Sequence, residues 1–321
     1  MKIACTCAAV FAFALPADAQ TNPSKAIRVI IPFAPGGGTD NLTRIMAPRL
    51  SQLLGQQIVI DNRPGASGQI GTDLAAKAMP DGYTIVHVDT SFASNPSLYP
   101  KLPYDTVKDF APISVLASAP VILVVHPSVP VTTLKQLIAL AKARPGQLNF
   151  ATGGTGSATH LGVELFKLAA GIDLVHIPYK GTGPAAAAVL GGQVAMSFGG
   201  PSSVKPLVAA GKLRAIAITG EKRNPALPEL PTFAESGLRG VDSGTYWSSL
   251  GPAATPRHII DTLSRAMMQV LHAAEVRERL VDLGFEPIGC TPEEADTNIR
   301  NEIAKWARVV KAAKIRPEWT H

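Results

Sequence analysis

The stretch Pro32-Phe33-Ala34-Pro35-Gly36-Gly37-Gly38-Thr39-Asp40 constrains the fold more than any other part of the chain. The short apolar run Ile27–Ile31 enters it, and a helical pattern over residues 42–54 leaves it. Glycine carries no Cβ, so its backbone can come close to a ligand. A helix start leaves its first N–H groups without partners and carries the positive end of the helix dipole. Strand, glycine-rich turn and helix start together can hold an anion without a charged side chain. This loop is therefore expected to grip the carboxylate of a small organic acid. Pro-Gly turns of this kind also join strands to helices while binding nothing. The stretch has no G-x-G-x-x-G, and the chain has no G-x-x-x-x-G-K-[ST], so the sharper nucleotide motifs are not met.

The same grammar returns later. Residues 148–151 read as a strand, Thr152-Gly153-Gly154-Thr155-Gly156-Ser157 as a glycine-rich turn, and Ala158–Ala170 as a helix. The hydroxyls of Thr152, Thr155, Ser157 and Thr159 suit carboxylate oxygens. Two such turns could hold opposite ends of one ligand. Around them, apolar strands without strict alternation are separated by helices, which indicates α/β lobes with mostly parallel sheets flanked by helices. Thr90 and Ser91 fall at the carboxyl end of the third strand, the edge where open α/β sheets bind ligands. At 321 residues the chain exceeds one compact core, and two lobes are expected. Residues 110–125 read as two successive strands crossing between lobes, and residues 246–250 as the return. This places lobe 1 at 20–122 plus 250–321 and lobe 2 at 123–249. Residues 133–143 start on a capping pair, Thr133 and Gln136, and the last helix starts on Thr291, Pro292 and Glu294. Pro184 is expected to begin a helix at its first position.

Residues 1–19 read as an export signal: Lys2, an apolar run over 3–15, and the A-x-A site Ala17-Asp18-Ala19. Cleavage near Ala19 would remove Cys5 and Cys7 and leave Cys290 as the single cysteine, so the mature monomer has no internal disulfide. Aromatic residues make up 6% and basic residues are scattered despite a net charge of +6, which gives nucleic-acid binding little support. No cofactor motif is present. His160 and Glu164 share a helix face, but there is no H-E-x-x-H or paired C-x-x-C, and no metal site is expected. An exported serine hydrolase using Ser157 with His160 is the alternative to a receptor. Ser157 lacks the G-x-S-x-G context because Thr155 stands at its first glycine position, so no enzyme is expected.

Several segments carry a family resemblance that spans essentially the mature chain. They are Ile31-Pro32-Phe33-Ala34-Pro35-Gly36-Gly37-Gly38-Thr39-Asp40, Val59-Ile60-Asp61-Asn62-Arg63-Pro64-Gly65-Ala66-Ser67-Gly68, Thr155-Gly156-Ser157-Ala158-Thr159-His160-Leu161, Ile177-Pro178-Tyr179-Lys180-Gly181, Gly251-Pro252-Ala253-Ala254-Thr255-Pro256 and Pro292-Glu293-Glu294. On these the chain resembles the periplasmic substrate-binding proteins of tripartite tricarboxylate transporters, the Bug receptors. The resemblance implies a Venus-flytrap periplasmic binding protein that closes over a carboxylate, works as a monomer, and delivers its ligand to the transporter's membrane subunits. It implies ligand contacts from Phe33, Ala34, Pro35, Gly36, Gly38, Thr39 and Asp40, facing Thr152, Thr155, Gly156, Ser157 and His160. Ala66, Ser67, Gly68, Thr90 and Ser91 would complete the first lobe's wall, and Tyr179 the second's. The family often has an acidic residue where this chain has Gly199, a departure that argues against an amino-acid ligand.

Overall fold

The computed structural model describes residues 24–312, 314 and 315. The export signal, its cleavage site, Cys5 and Cys7 lie outside the described residues, as does residue 313. In chain order, the first lobe opens with β1 (Ile27–Ile31), α1 (Gly38–Leu54), β2 (Ile58–Asn62), a 3-10 turn (Ala66–Gly68), α2 (Gln69–Ala76), β3 (Thr84–Val88) and α3 (Thr90–Leu98). β4 (Phe110–Pro120) leads into β5 (Ile122–Val125), followed by α4 (Leu134–Ala143), β6 (Asn149–Thr152), α5 (Ala158–Ala170), β7 (Val175–Pro178) and α6 (Thr182–Leu190). β8 (Met196–Gly199), α7 (Pro201–Ala209) and β9 (Arg214–Ile218) complete the second lobe. The chain returns through β10 (Gly244–Pro252), then α8 (Arg257–His272), α9 (Ala274–Asp282), β11 (Glu286–Pro287) and α10 (Pro292–Ala312).

These elements form two sheets, in the orders β11-β4-β10-β3-β1-β2 and β7-β6-β8-β5-β9. Each sheet is mixed. The β-α repeats make the parallel part: β1 pairs with β2 and β3, and β6 with β7 and β8. The crossing strands make the antiparallel part, because they run against the repeats when they enter each sheet. β10 lies between β3 and β4, and β5 between β8 and β9. β4 stays in the first sheet to Pro120, and β10 rejoins that sheet at Gly244, opposite Pro120. The two crossings therefore lie side by side, with Val121 bonded to the Thr219 hydroxyl at 2.9 Å where the second sheet begins.

Each lobe buries its own apolar cluster. The first packs α1 and α8 on its sheet through Leu42, Met46, Leu263, Met267 and Trp247. The second packs α4 and α5 through Leu137, Phe150, Val163, Phe166 and Phe198. A further cluster joins the lobes: Leu161 of α5 packs with Ala93 and Leu98 of α3 and with Trp306 and Val310 of α10. Trp306 is fully buried, and its indole donates to Glu302 at 2.8 Å. Full burial of one large apolar side chain contributes roughly 1.5–3 kcal/mol, so this shared cluster favours lobes in contact.

Helix caps follow the local sequence. Thr133 and Gln136 form the expected reciprocal box on α4. Thr291 and Glu294 do the same ahead of α10, at 2.9 and 3.3 Å. Three starts differ from the sequence expectation. α1 begins at Gly38, α6 at Thr182 rather than Pro184, and α3 is a helix from Thr90 that the sequence reading left without structure. Pro96 inside α3 and its hydroxyl-rich start hide the helical pattern, but Asp89 caps it by accepting from the Ser91 N–H.

Candidate functional site

The first glycine-rich turn is held by its own carboxylate. Asp40, 2% exposed, accepts from the Gly36 N–H at 3.0 Å, from Asn62 Nδ2 at 3.1 Å and from Arg44 Nε at 2.9 Å. Burial works to raise its pKa, but the bonds from Arg44, Gly36 and Asn62 outweigh it and hold the carboxyl below its ordinary value. Asn62 also donates to the Phe33 carbonyl at 3.0 Å. Asp40 thus shapes the loop.

The second turn is held by hydroxyls and an imidazole. Ser157 Oγ donates to the Gly154 carbonyl at 2.7 Å, lies 2.8 Å from Thr159 Oγ1, and caps α5 by accepting from the His160 N–H. Thr159 Oγ1 accepts from the Gly153 N–H at 3.0 Å. His160 Nδ1 accepts from the Gly156 N–H at 3.1 Å, which requires an imidazole unprotonated at that nitrogen. Its ring stacks on His176 at 4.2 Å, and His176 stacks on Phe150 at 4.9 Å. Burial pushes His160 well below its ordinary pKa, and neighbouring His176 and Lys167 add to the effect. Burial likewise lowers His176 to about 4. The His160 ring is not among the bonding partners of Ser157 Oγ, so the two do not form a nucleophile and base.

The two turns meet. Between them lies a cavity of about 30 Å³, room for roughly one water in this closed form. Its first-lobe wall is Phe33, Gly37, Gly38 and Thr39 at the start of α1, Asp89 at the start of α3, and Thr245 and Trp247 from β10. Its second-lobe wall is Gly153, Ser157, Ala158 and Thr159 at the start of α5, Gly181 and Thr182 at the start of α6, and Gly200 at the start of α7. α1, α6 and α7 have glycine N-caps with no side-chain cap bond. Five helix N-termini thus border one cavity, those of α1 and α5 foreseen from sequence and those of α3, α6 and α7 not, and that of α3 is capped by the Asp89 carboxylate. Each of the other four contributes about 0.3–2 kcal/mol toward an anion, depending on burial. No lysine or arginine lines this cavity among the described residues.

Main chain approaches main chain across the cleft. A Cβ on Gly183 would lie 2.9 Å from the Pro35 carbonyl oxygen, and one on Gly181 would lie 3.4 Å from Ala34 N. The Ala34 N–H donates to the Lys180 carbonyl at 2.9 Å, and Ser203 Oγ to the Gly36 carbonyl at 3.2 Å. Ser94 Oγ donates to the Gly156 carbonyl at 2.6 Å.

Of the residues expected from sequence, Phe33, Gly38, Thr39 and Ser157 line the cavity. Gly36 and Gly156 do not: Gly36 faces Ser203, and a Cβ on Gly156 would meet Leu98 at 2.5 Å. Ala34 and Pro35 meet the second lobe's main chain, as above. Ser67 bonds the Tyr99 hydroxyl at 3.1 Å, with Ala66 and Gly68 beside it in the same turn, and Ser67 lies under Gly154. Thr90 ties α3 to β10, donating to the Gly244 carbonyl and accepting from the Tyr246 N–H. Ser91 bonds Asp89. Thr152 bonds His176 Nε2 at 2.6 Å, and Thr155 is buried in the turn. Tyr179 packs partly buried against the α6–β8 cluster, its N–H on the Thr152 carbonyl. The expected site residues did not include Gly37, Asp89, Gly153, Ala158, Thr159, Gly181, Thr182, Gly200, Thr245 or Trp247, although Gly37, Gly153, Ala158 and Thr159 lie in or beside the two turns singled out. Gly181-Thr182 and Gly200-Pro201 carried the same strand–glycine–helix signal as the two turns that were singled out.

Comparison with known proteins now adds to this geometry. Residues 42–315 match the model of the tripartite tricarboxylate transporter family receptor. The chain is 39% identical over 300 residues to Protein BugT of Bordetella pertussis, covering 93% of this chain and 92% of that protein. Among solved structures it is similar to Rpa4515 of R. palustris with adipate, at a TM-score of 0.89, 36% identity, and 92% and 99% of the two chains. It is also similar to MatC of Rhodopseudomonas palustris with bound malate, at a TM-score of 0.84, 32% identity, and 90% and 99% of the two chains.

Proposed function

The chain belongs to the tripartite tricarboxylate transporter receptor family, a family of periplasmic solute-binding receptors, and from that premise we propose that it captures a small organic carboxylate between its lobes and releases it unchanged. One observation supports this reading: besides the Asp89-capped start of α3, the N-termini of α1, α5, α6 and α7 from both lobes border one cavity with no basic side chain among the described residues. Partly paired N–H groups and helix dipoles there can substitute for a cation. The relatives crystallised with adipate and malate support a carboxylate as the ligand.

The contacts we propose are main-chain N–H groups at Gly37, Gly38, Gly153, Gly181 and Gly200, hydroxyls of Thr39, Ser157, Thr159 and Thr182, and the rims of Phe33 and Trp247. Ala34, Gly36, Ser94 and Gly156 hold the lobes shut. A micromolar complex needs about −8 kcal/mol. Helix ends supply part of it, and burial of the ligand body on closure supplies the rest. Residues 1–19 would direct export and be cleaved near Ala19, and a monomer would deliver the ligand to the membrane subunits of the transporter. Lobe 1 would comprise residues 20–122 and 250–321 and lobe 2 residues 123–249, with β10 already paired in the first sheet from Gly244.

A thermal-shift screen of ligand-stripped protein against mono-, di- and tricarboxylates, aromatic acids and amino acids tests the reading. Stabilisation by one class is expected, and no stabilisation by any would overturn it. We read the site as non-catalytic. Ester or amide turnover that disappears in Ser157→Ala would reverse that.

A further inference from the structure

Asp89 is the one carboxylate in the cavity wall among the described residues, and neither the sequence motifs nor the receptor reading uses it. It stands at the N-cap of α3, where its Oδ1 accepts from the Ser91 N–H at 2.9 Å and the Ser91 hydroxyl at 2.5 Å. Oδ2 receives no hydrogen bond from another described residue. The helix is fixed in place, because Thr90 is bonded to both Gly244 and Tyr246 of β10. The backbone of Asp89 is thereby held at the cavity, and its side chain is held there by the two bonds from Ser91.

The cavity is thus two-signed: helix N-termini along most of its wall, and a single carboxylate at one end. A ligand made only of carboxylates leaves Asp89 facing like charge inside a closed cleft. A ligand that carries both signs satisfies both parts. Resting on the receptor reading above, we infer that Asp89 receives the ammonium group of the ligand and selects an amino acid over the plain carboxylate of the same skeleton. Asp89 offers an acidic group where Gly199 leaves none, against the sequence expectation of a ligand without an ammonium. Burial raises the Asp89 carboxyl above its ordinary pKa, offset in part by Ser91, which agrees with a group whose charge awaits a partner.

The test uses ligand-stripped protein and calorimetry at pH 7.5 on matched pairs: aspartate against succinate, glutamate against glutarate, alanine against propionate, and phenylalanine against 3-phenylpropionate. In wild-type protein at least one amino acid should bind tenfold or more tightly than its partner lacking the amino group. Asp89→Asn should abolish that preference, since asparagine is an equally good N-cap but carries no charge. Wild-type preference for the acids lacking an amino group, or an unchanged preference in Asp89→Asn, overturns the inference and leaves the receptor intact. Should Asp89→Asn fail to fold, the wild-type ratios decide alone. Failure of wild-type protein to bind any acid overturns the receptor reading and this inference with it.

Discussion

Gly38→Ala should weaken binding through a single buried contact. Gly38 is the first residue of α1, and its φ does not lie in the left-handed region, so alanine is conformationally acceptable there. Space is the obstacle. A Cβ at this position would lie 2.5 Å from Trp247 Cζ2 and 3.2 Å from Cε2. Ordinary carbon contacts begin near 3.5 Å, so the indole or the turn must move by about 1 Å. Trp247 is 3% exposed, donates from Nε1 to Thr39 Oγ1 at 3.1 Å, and meets the Phe285 ring edge-on at 5.0 Å. Overpacking of this kind costs about 1–3 kcal/mol, against which alanine returns up to about 1 kcal/mol of helix propensity. The net loss of roughly 0–2 kcal/mol should lower Tm by a few degrees at most. Binding should suffer more, because both Trp247 and Gly38 form the cavity wall: a rise in Kd of about tenfold or more, with altered Trp247 fluorescence. Gly55→Ala, at the far end of α1, is the control. Its φ is +64° with nothing within 4 Å of the new Cβ, so it should cost about 1–2 kcal/mol of stability through backbone strain while leaving the cavity wall unchanged. Calorimetry and melting of both variants check this. Wild-type affinity and fluorescence in Gly38→Ala, or an equal loss of affinity in Gly55→Ala, would refute the reasoning.

Acid should destabilise the protein before its carboxylates titrate. Burial lowers His87 to about 3 and His176 to about 4, and holds His160 well down, whereas the unfolded chain titrates near 6.5. All three are neutral in the fold, so their contribution is complete above about pH 6.5 and is lost as pH falls toward their folded values. The His176 shift alone corresponds to roughly 3 kcal/mol by pH 4. Imidazole signals of His87 and His176 that titrate near pH 6.5 in the folded protein, or a flat Tm between pH 7 and 4.5, would contradict this. Ser94→Ala removes a buried bond from the first lobe to the Gly156 carbonyl that exists only when the lobes meet. The loss of about 0.5–1.5 kcal/mol of closure should raise Kd roughly two- to tenfold. An unchanged Kd would show that this contact does not govern closure.

The local pieces of this protein are decided by its sequence. Ile27–Ile31 ending in Gly36-Gly37-Gly38, and residues 148–151 ending in Gly153-Gly154, specify strand, turn and helix start, because caps and dihedral preferences act within a few residues. The capping boxes at Thr133 and Thr291 and the two-lobe α/β plan were legible for the same reason. Which glycine faces the cavity was not. Gly36 and Gly156 turn away from the cavity, while Gly181, Gly200, Trp247 and Asp89 arrive from segments far apart along the chain. Their placement depends on β10 entering between β3 and β4, on β5 entering between β8 and β9, and on the lobes closing. Strand order and lobe contact are settled by packing between distant surfaces such as Leu161 against Trp306, and periodicity along one segment carries no information about its remote partner.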